Sequence, residues 1–155
     1  MLSLAETQLW MHLGQVAIAV DQPALALDAF STVEINTLMG TSLMLQTGLR
    51  YLHASWPVDG LMKLYLTDMA PSEYPLAPAD VWLEVRGARG EFQINRLNAA
   101  EFVFRKAVLE PQPIGTAAER ALDAGAGFDV GRAFTTLLRG GYVIGTTSPD
   151  RGGQA

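Results

Sequence analysis

The sequence contains no cysteine among its 155 residues. This absence excludes disulfide bonds, thiolate nucleophiles and zinc sites built on thiolates. The two histidines, His12 and His53, lie in separate parts of the chain and form none of the His-x-x-His or His-Glu-x-x-His spacings that bring two ligands together. Because two separated histidines cannot complete a coordination shell, we expect no metal site and no cofactor.

The sequence also lacks any recognisable catalytic constellation. Ser42 and Ser55 have no Gly-x-Ser-x-Gly context around them. Gly87–Gly90 has the Gly-x-x-Gly spacing, but it lacks the following helix and lysine of a phosphate loop and is typical of a hairpin turn. Carboxylates are scattered singly along the chain, and five of them form no recognisable acid/base pair: Glu6, Glu34, Asp59, Asp68 and Glu73. The sequence therefore predicts no catalytic residue and a protein that is not an enzyme.

Long apolar runs and a basic surface are missing as well. The most apolar stretch, Leu9–Val20, contains His12 and Gln15 and is shorter than the ~20 residues that a membrane span needs. We therefore expect no membrane association and a cytoplasmic protein. The net charge is -5, and residues 1–79 contain only Arg50 and Lys63 as basic side chains. This acidic balance argues against a nucleic-acid partner.

What the chain does contain is enough apolar sequence to fold. Hydrophobic residues make up 49% and charged residues 17% of the composition, which is typical of a globular protein. Leu9, Leu13, Val16 and Val20 recur at helical spacing and predict a helix over 2–20, with a stop at Asp21–Pro23. Shorter helices are expected over 24–30 and 32–38.

The middle of the chain is less clear. Residues 43–52 favour a strand, although their composition and Gly48 leave a helix open. A helix is expected over 58–69, after Trp56-Pro57. The proline-rich stretch 70–78 then predicts a boundary. Two subdomains follow from it, 1–70 and 80–147.

The second half has sharper patterns. Residues 81–86 and 92–95 alternate around Gly87–Gly90 and predict a β-hairpin. Asn98, Thr116 and Asp129 each stand where a helix would need an N-cap. Three helices should therefore follow the hairpin. The first of these three should bury Ala100, Val103, Phe104, Ala107 and Val108. The third of them should bury Val130, Ala133, Phe134, Leu137 and Leu138. After Gly140-Gly141 a short strand should begin at Tyr142.

This order predicts an α+β fold, in which an N-terminal helical subdomain precedes a winged-helix-like module of hairpin, three helices and short strand. The amino-acid sequence of two stretches, Phe92–Ala100 and Phe128–Tyr142, resembles that of the PqqD-like recognition elements of ribosomal-peptide maturation systems. The whole chain is similar to the C-terminal domain of HvfC-type proteins and more distantly to MbnC-like proteins. That similarity rests on Leu9-Trp10 with His12, on 49–58 and on 128–141. The sequence departs from the HvfC pattern at the N-terminal domain that carries the DNA-binding label, and this departure weakens the expectation of DNA binding.

The resemblance implies a partner protein of multinuclear non-haem iron oxidases of TIM-barrel type, which modify cysteines of a precursor peptide. A leader peptide would add as a strand beside the strand that precedes the first helix, with the third helix as the other wall. By position, the peptide-binding residues would be Phe92, Gln93, Ile94, Asn95, Arg96, Arg132, Thr135, Thr136 and Arg139. Arg132 and Arg139 would suit acidic leader residues.

Several alternatives remain open from the residues alone. The polar stripe of the third helix is equally typical of a solvated helix face. The three tryptophans, Trp10, Trp56 and Trp82, are either core residues or, with His12, form the interface to the oxidase. Trp82 should face away from the row Val81, Leu83 and Val85. Two other functions compete with peptide recognition. One is a winged-helix DNA-binding transcriptional regulator, and the other is an adaptor without a peptide substrate.

Overall fold

The computed structural model describes residues 4–60 and 79–147. Helices and antiparallel strands both occur in these ranges, so the fold is mixed α+β, as predicted. None of the described helices is long and apolar enough to cross a membrane. The proline-rich stretch 70–78 and most of the helix expected over 58–69 lie outside the described residues, while residues 58–60 are helical.

The chain divides into two compact units, each built from two segments. Unit 1 comprises Met1–Val20 and Gly48–Leu97, and unit 2 comprises Asp21–Thr47 and Asn98–Ala155. The predicted subdomains, 1–70 and 80–147, are instead continuous in sequence.

Unit 1 is a helix packed on a three-stranded antiparallel sheet. Helix α1, Leu4–Ala17, buries Leu9, Leu13 and Val16, as its periodicity predicts. Val20, the fourth member of the predicted row, is 60% exposed because the helix has already ended. The core combines these helical side chains with Val58, from the helical turn at 58–60, and with one face of the sheet: Leu52, Ala54, Val81, Leu83 and Val85.

The segment that was expected to form one strand, 43–52, forms two. β1, Ser42–Leu45, belongs to unit 2, and β2, Leu49–Ala54, belongs to unit 1. Gly48 marks the change because its backbone lies against that of Gly87. A β-carbon on Gly48 would come within 1.9 Å of the Gly87 carbonyl oxygen, which no residue other than glycine can accommodate.

The predicted hairpin is confirmed. β3, Val81–Ala88, pairs with β4, Glu91–Leu97, and the strand order is β2-β3-β4. The turn residues Arg89 and Gly90 both have positive φ, 54° and 87°, which suits the right-handed twist of a two-residue hairpin. Their amides donate to carbonyls at the end of α1 and just beyond it: Gly90 to that of Ala17 at 2.6 Å and Arg89 to that of Ala19 at 2.9 Å. The hairpin thus satisfies carbonyls at the end of α1.

Unit 2 contains the second sheet, in which β1 pairs antiparallel with β5, Val143–Thr147.

The helix expected over 24–30 is reduced to a 3-10 turn at Leu27–Phe30. Ala26 has an extended backbone, with φ −88° and ψ 161°, and the Leu25 amide donates to the Val143 carbonyl at 2.7 Å, so the start of this segment pairs with β5 and is not helical. The helix expected over 32–38 is α2, Ile35–Met39.

A buried glutamine fixes the segment before this turn. The Gln46 side chain accepts from the Gln22 amide at 2.9 Å and donates to the Gln22 carbonyl at 2.8 Å. It also donates to the Gly141 carbonyl at 3.1 Å. One side chain therefore bonds two chain segments, as a strand would, and this explains why a polar residue is buried here.

Three helices follow the hairpin in the predicted order: α3, Ala99–Leu109, α4, Ile114–Ala124, and α5, Val130–Arg139. The predicted caps of α3 and α5 are confirmed, because Asn98 accepts from the Glu101 amide and Asp129 from the Arg132 amide. The predicted cap at Thr116 is wrong. α4 begins earlier, after Pro113, and the Ile114 amide donates to the Thr41 carbonyl.

The buried face of α5 matches the prediction except that Val130 is half-buried. α3 is buried around more of its circumference than predicted, since Phe102 and Arg105 are buried in addition to Phe104, Ala107 and Val108, while Ala100 and Val103 are half-buried. The Arg105 guanidinium contacts Glu101 at 3.3 Å and lies 5.2 Å from the ring centre of Tyr142. Gly141 has a φ of 73° and gives the left-handed exit into β5.

Candidate functional site

The outer edge of β4 is the first candidate site. Gly87 donates its amide to the Gly48 carbonyl at 2.9 Å, so the odd-numbered residues of β3 direct their backbone toward β2. The even-numbered residues of β3 then face β4 and pair with its odd-numbered residues, such as Arg86 with Gln93. Backbone groups of the even-numbered residues of β4, Phe92, Ile94 and Arg96, consequently point away from the sheet.

This edge is accessible. Every residue of β4 is exposed except Ile94 and Leu97, which are half-buried. Ile94 packs against the core of unit 1, and Phe92 is 36% exposed on the same face of the sheet. In the described residues no other strand pairs with β4 beyond β3. The strand Phe92–Arg96 that was predicted to bind peptide is therefore an edge strand of the kind that β-addition requires.

Arg96 differs from the other predicted edge residues because an ion pair fixes its side chain. Its Nε and Nη2 atoms donate to the two carboxylate oxygens of Asp59 at 2.6 and 2.9 Å. The Asp59 side chain is only 5% exposed, while that of Arg96 is 55% exposed. This two-point contact ties the end of β4 to the helical turn at 58–60.

The ion pair determines the protonation of Asp59. Burial alone would raise the pKa of this carboxyl. The hydrogen bonds and charge of Arg96, with the backbone amides of Gly60 and Asp59, outweigh burial and hold the pKa below its ordinary value. The partner of Asp59 could not be predicted from the sequence, because nothing local connects it to a strand residue 37 positions away.

The other predicted wall, α5, lies in unit 2, whereas β4 lies in unit 1. Arg132, Thr136 and Arg139 are exposed, and Thr135 is half-buried. The Thr136 hydroxyl donates to the Arg132 carbonyl at 2.9 Å, one turn earlier in the helix. The polar stripe therefore faces solvent in the register that its spacing predicts.

A groove of about 620 Å³ lies in unit 2 along the first turns of α5. Arg132 and Thr136 line it, whereas Thr135 and Arg139 do not. The rest of its wall comes from the start of α3 and from the end of α4 with the loop after it: Asn98, Ala99, Ala100, Glu101, Ala124, Gly125, Gly127, Phe128, Asp129 and Ala133. Asn98 and Asp129 were predicted as helix caps, but their place in one groove was not predicted, because their proximity depends on how α3 and α5 pack.

The predicted partner interface is distributed over unit 1. Trp10 and Trp56 are 38% and 44% exposed, so neither is a core residue. Trp82 is half-buried on the face opposite Val81, Leu83 and Val85, as predicted, and stacks on His53 with ring centres 5.0 Å apart. His53 also contacts Asp80 at 3.1 Å.

His12 lies half-buried on α1, with a Nδ1 atom that has no hydrogen-bond partner in the described residues. Burial lowers its pKa below the ordinary value, a hydrogen bond with Gln15 works in the opposite direction, and the charge of Arg50 lowers the pKa further. His12 is therefore neutral at physiological pH. No three His, Asp or Glu side chains come together as a metal ion would require, in the part of the chain that is described.

Comparisons with known proteins do not assign the chain to a family. No protein-family model, no curated protein and no solved structure matches it.

Proposed function

We propose that this protein is a non-catalytic partner subunit that binds a ribosomally made precursor peptide by strand addition at β4. It would present the peptide to an iron-dependent oxidase of TIM-barrel type for cysteine modification. The observation that carries this proposal is the accessible edge of β4, where the backbone groups of Phe92 and Ile94 point away from the sheet. Main-chain hydrogen bonds along such an edge bind an extended peptide with little dependence on its sequence.

The order of elements supports the same proposal. The hairpin β3–β4, the helices α3, α4 and α5, and the strand β5 follow one another as in a winged-helix-like module. In the recognition elements that the sequence resembles, this module uses the strand before the first helix and the third helix to bind a leader. In the proposal, Arg132 and Arg139 on the exposed face of α5 select acidic leader residues.

The partner interface is proposed on unit 1. Trp10 and Trp56 expose large aromatic surfaces, and such residues are enriched where proteins bind one another. Trp82 stacks on His53 at the sheet face away from α1 and would form a separate contact there. The chemistry of cysteine modification would belong to the oxidase.

Two variants test peptide recognition. The ligand would be a fluorescein-labelled leader of a precursor peptide encoded beside this gene, and binding would be measured by fluorescence anisotropy. Ile94→Pro removes an outward backbone donor and should abolish binding, while the control Ile94→Thr keeps the donor and should retain it. Arg132→Glu should weaken an acidic leader about tenfold or more by charge reversal. Circular dichroism would show whether each variant is folded.

Other outcomes would favour the competing functions. If a folded Ile94→Pro protein binds the leader as the parent does, strand addition at β4 is wrong. Submicromolar binding to duplex DNA at physiological salt would instead support the winged-helix regulator, against the net charge of -5. Co-purification with a neighbouring oxidase but with no peptide would support the adaptor.

A further inference from the structure

The edge of β4 lacks three of the devices that keep edge strands apart: a proline, a lysine and a β-bulge. Its seven residues, Glu91–Leu97, pair with β3 without a register shift. They include no proline and no lysine, and their charged residues, Glu91 and Arg96, lie near opposite ends. Proline, lysine and β-bulges are the means by which natural proteins block pairing between sheet edges. This edge is therefore a template for another strand.

The register of β4 makes that strand compatible with a second copy of itself. In an antiparallel pair, directly opposite residues exchange hydrogen bonds only if both direct their backbone across the interface. Ile94, the central residue of β4, is one of the outward-directed residues. A twofold axis through Ile94 places Ile94 opposite its own copy and brings outward-directed residues together along the whole strand.

The side chains of β4 are complementary in that register. Phe92 lies opposite Arg96 of the second copy, which suits a contact between a guanidinium and an aromatic ring. On the other face Gln93 lies opposite Asn95, two amides that can hydrogen-bond. Glu91 lies opposite Leu97, so the two copies of Glu91 are roughly 20 Å apart at the ~3.4 Å rise of a strand. No like charges face each other.

We propose that two copies of this chain associate through β4, antiparallel about Ile94, and join their sheets into one six-stranded sheet. The inference depends on the geometry of the edge and does not require the proposed function. If a peptide also adds to β4, the second copy and the peptide compete for the same hydrogen bonds. Dimer formation would then limit peptide binding at high protein concentration.

Engineered cysteines test the register directly, because the protein has none of its own. Ile94→Cys should oxidise to a disulfide-linked dimer, since directly opposite hydrogen-bonded residues have α-carbons about 5.5 Å apart, within disulfide reach. Glu91→Cys, the control, should cross-link at least about tenfold more slowly because its two copies are beyond that reach. A mixture of Gln93→Cys and Asn95→Cys proteins should cross-link, which provides the same test at exposed positions that do not pack on the core.

A charge pair at position 92 tests the association without cysteine. In the Phe92→Lys variant the lysine would be repelled by Arg96 of the second copy, whereas in Phe92→Glu the glutamate would be attracted to it. The dimer dissociation constant of the lysine variant, measured by multi-angle light scattering over a dilution series, should exceed that of the glutamate variant by about tenfold. A parent protein that is monomeric at every concentration would overturn the proposal. Equal cross-linking of Glu91→Cys and Ile94→Cys, or equal dissociation constants of the Phe92 variants, would overturn the register.

Discussion

At the scale of single residues, Gly48 and Gly87 show how two positions without side chains determine where a strand begins. Gly48, directly before β2, lies opposite Gly87 of β3, and the Gly87 amide donates to the Gly48 carbonyl at 2.9 Å. A β-carbon on Gly87 would come within 2.7 Å of the Val16 side chain and of the Glu91 carbonyl oxygen. The sheet and α1 can approach one another only because both positions lack side chains.

Gly48→Ala should therefore destabilise the protein by about 3 kcal/mol, because the added methyl group meets the backbone and not a flexible side chain. Gly14→Ala is the matched control. Gly14 lies in α1 with open space around it, so alanine there should stabilise the helix by about 0.5–1 kcal/mol. Urea unfolding followed by circular dichroism compares the two. Equal effects of the two substitutions would contradict the close approach at Gly48.

The Asp59 carboxylate predicts a pH dependence of stability. Its folded-state pKa is lowered below the ordinary value of 3.8. The ion pair with Arg96 therefore contributes its full stability above pH 3.8, and the contribution is lost as the pH falls through the folded-state pKa.

Asp59→Asn should lower the free energy of unfolding at pH 7 by about 2 kcal/mol, since it removes a charged acceptor from two hydrogen bonds. Below pH 3.8 the parent and the variant should converge. Asp80→Asn, which alters an exposed pair with His53, should cost less than about 0.5 kcal/mol. Urea unfolding at pH 7 and pH 3 measures all three proteins. A constant difference between parent and Asp59→Asn at both pH values would argue against the ion pair.

At the scale of elements, the caps distinguish α3 and α5, whose starts were predicted correctly, from α4, whose start was not. Asn98 and Asp129 each accept an amide of the first turn, at 2.8 and 3.1 Å. Thr116 has the same spacing to an acidic residue, but it lies inside α4, which Pro113 and the Thr41 carbonyl start earlier. A capping pattern alone does not determine where a helix begins.

Asn98→Ala should cost about 1 kcal/mol because the Glu101 amide loses its acceptor. Thr116→Ala should be neutral or slightly stabilising, since alanine is the better helix former at an interior position. Thermal unfolding of the two variants compares them directly. A loss at Thr116 as large as that at Asn98 would place the start of α4 at Thr116.

The elements that sequence analysis predicted well are those that local spacing determines. The hairpin follows from alternation on both sides of a glycine turn, and α5 follows from its apolar row and its cap at Asp129. The elements that it predicted poorly depend on distant residues. The Leu25 amide bonds to Val143, and the backbone of Gly48 lies against that of Gly87. No local pattern contains either contact.

The features of the candidate site also separate into those that local sequence determines and those that depend on distant residues. The sequence predicted that Phe92–Asn95 would form a strand and that Arg132 and Thr136 would share an exposed helix face, and both are confirmed. It did not predict the ion pair between Arg96 and Asp59 or the groove beside Arg132. Both arise where elements distant in sequence pack together within one unit, and single-sequence periodicity carries no information about such packing.

At the scale of the whole molecule, the chain crosses between its two units three times, at 20–21, 47–48 and 97–98. The last crossing falls directly between β4 and α3. The proposed peptide edge and the helix that would complete the module therefore belong to different units. Binding of an extended chain to β4 extends the sheet of unit 1 by one strand, whatever the partner is.

The most direct measurement of strand addition at β4 is amide hydrogen exchange, followed by NMR before and after addition of the leader peptide. The protein would be diluted until light scattering shows a monomer. In the free protein, Gln93 and Asn95 should exchange slowly because they pair with β3, while Phe92 and Ile94 should exchange quickly. On adding peptide, exchange at Phe92 and Ile94 should slow at least about tenfold. Binding that leaves these two amides unchanged, and protects amides of α5 alone, would contradict strand addition at this edge.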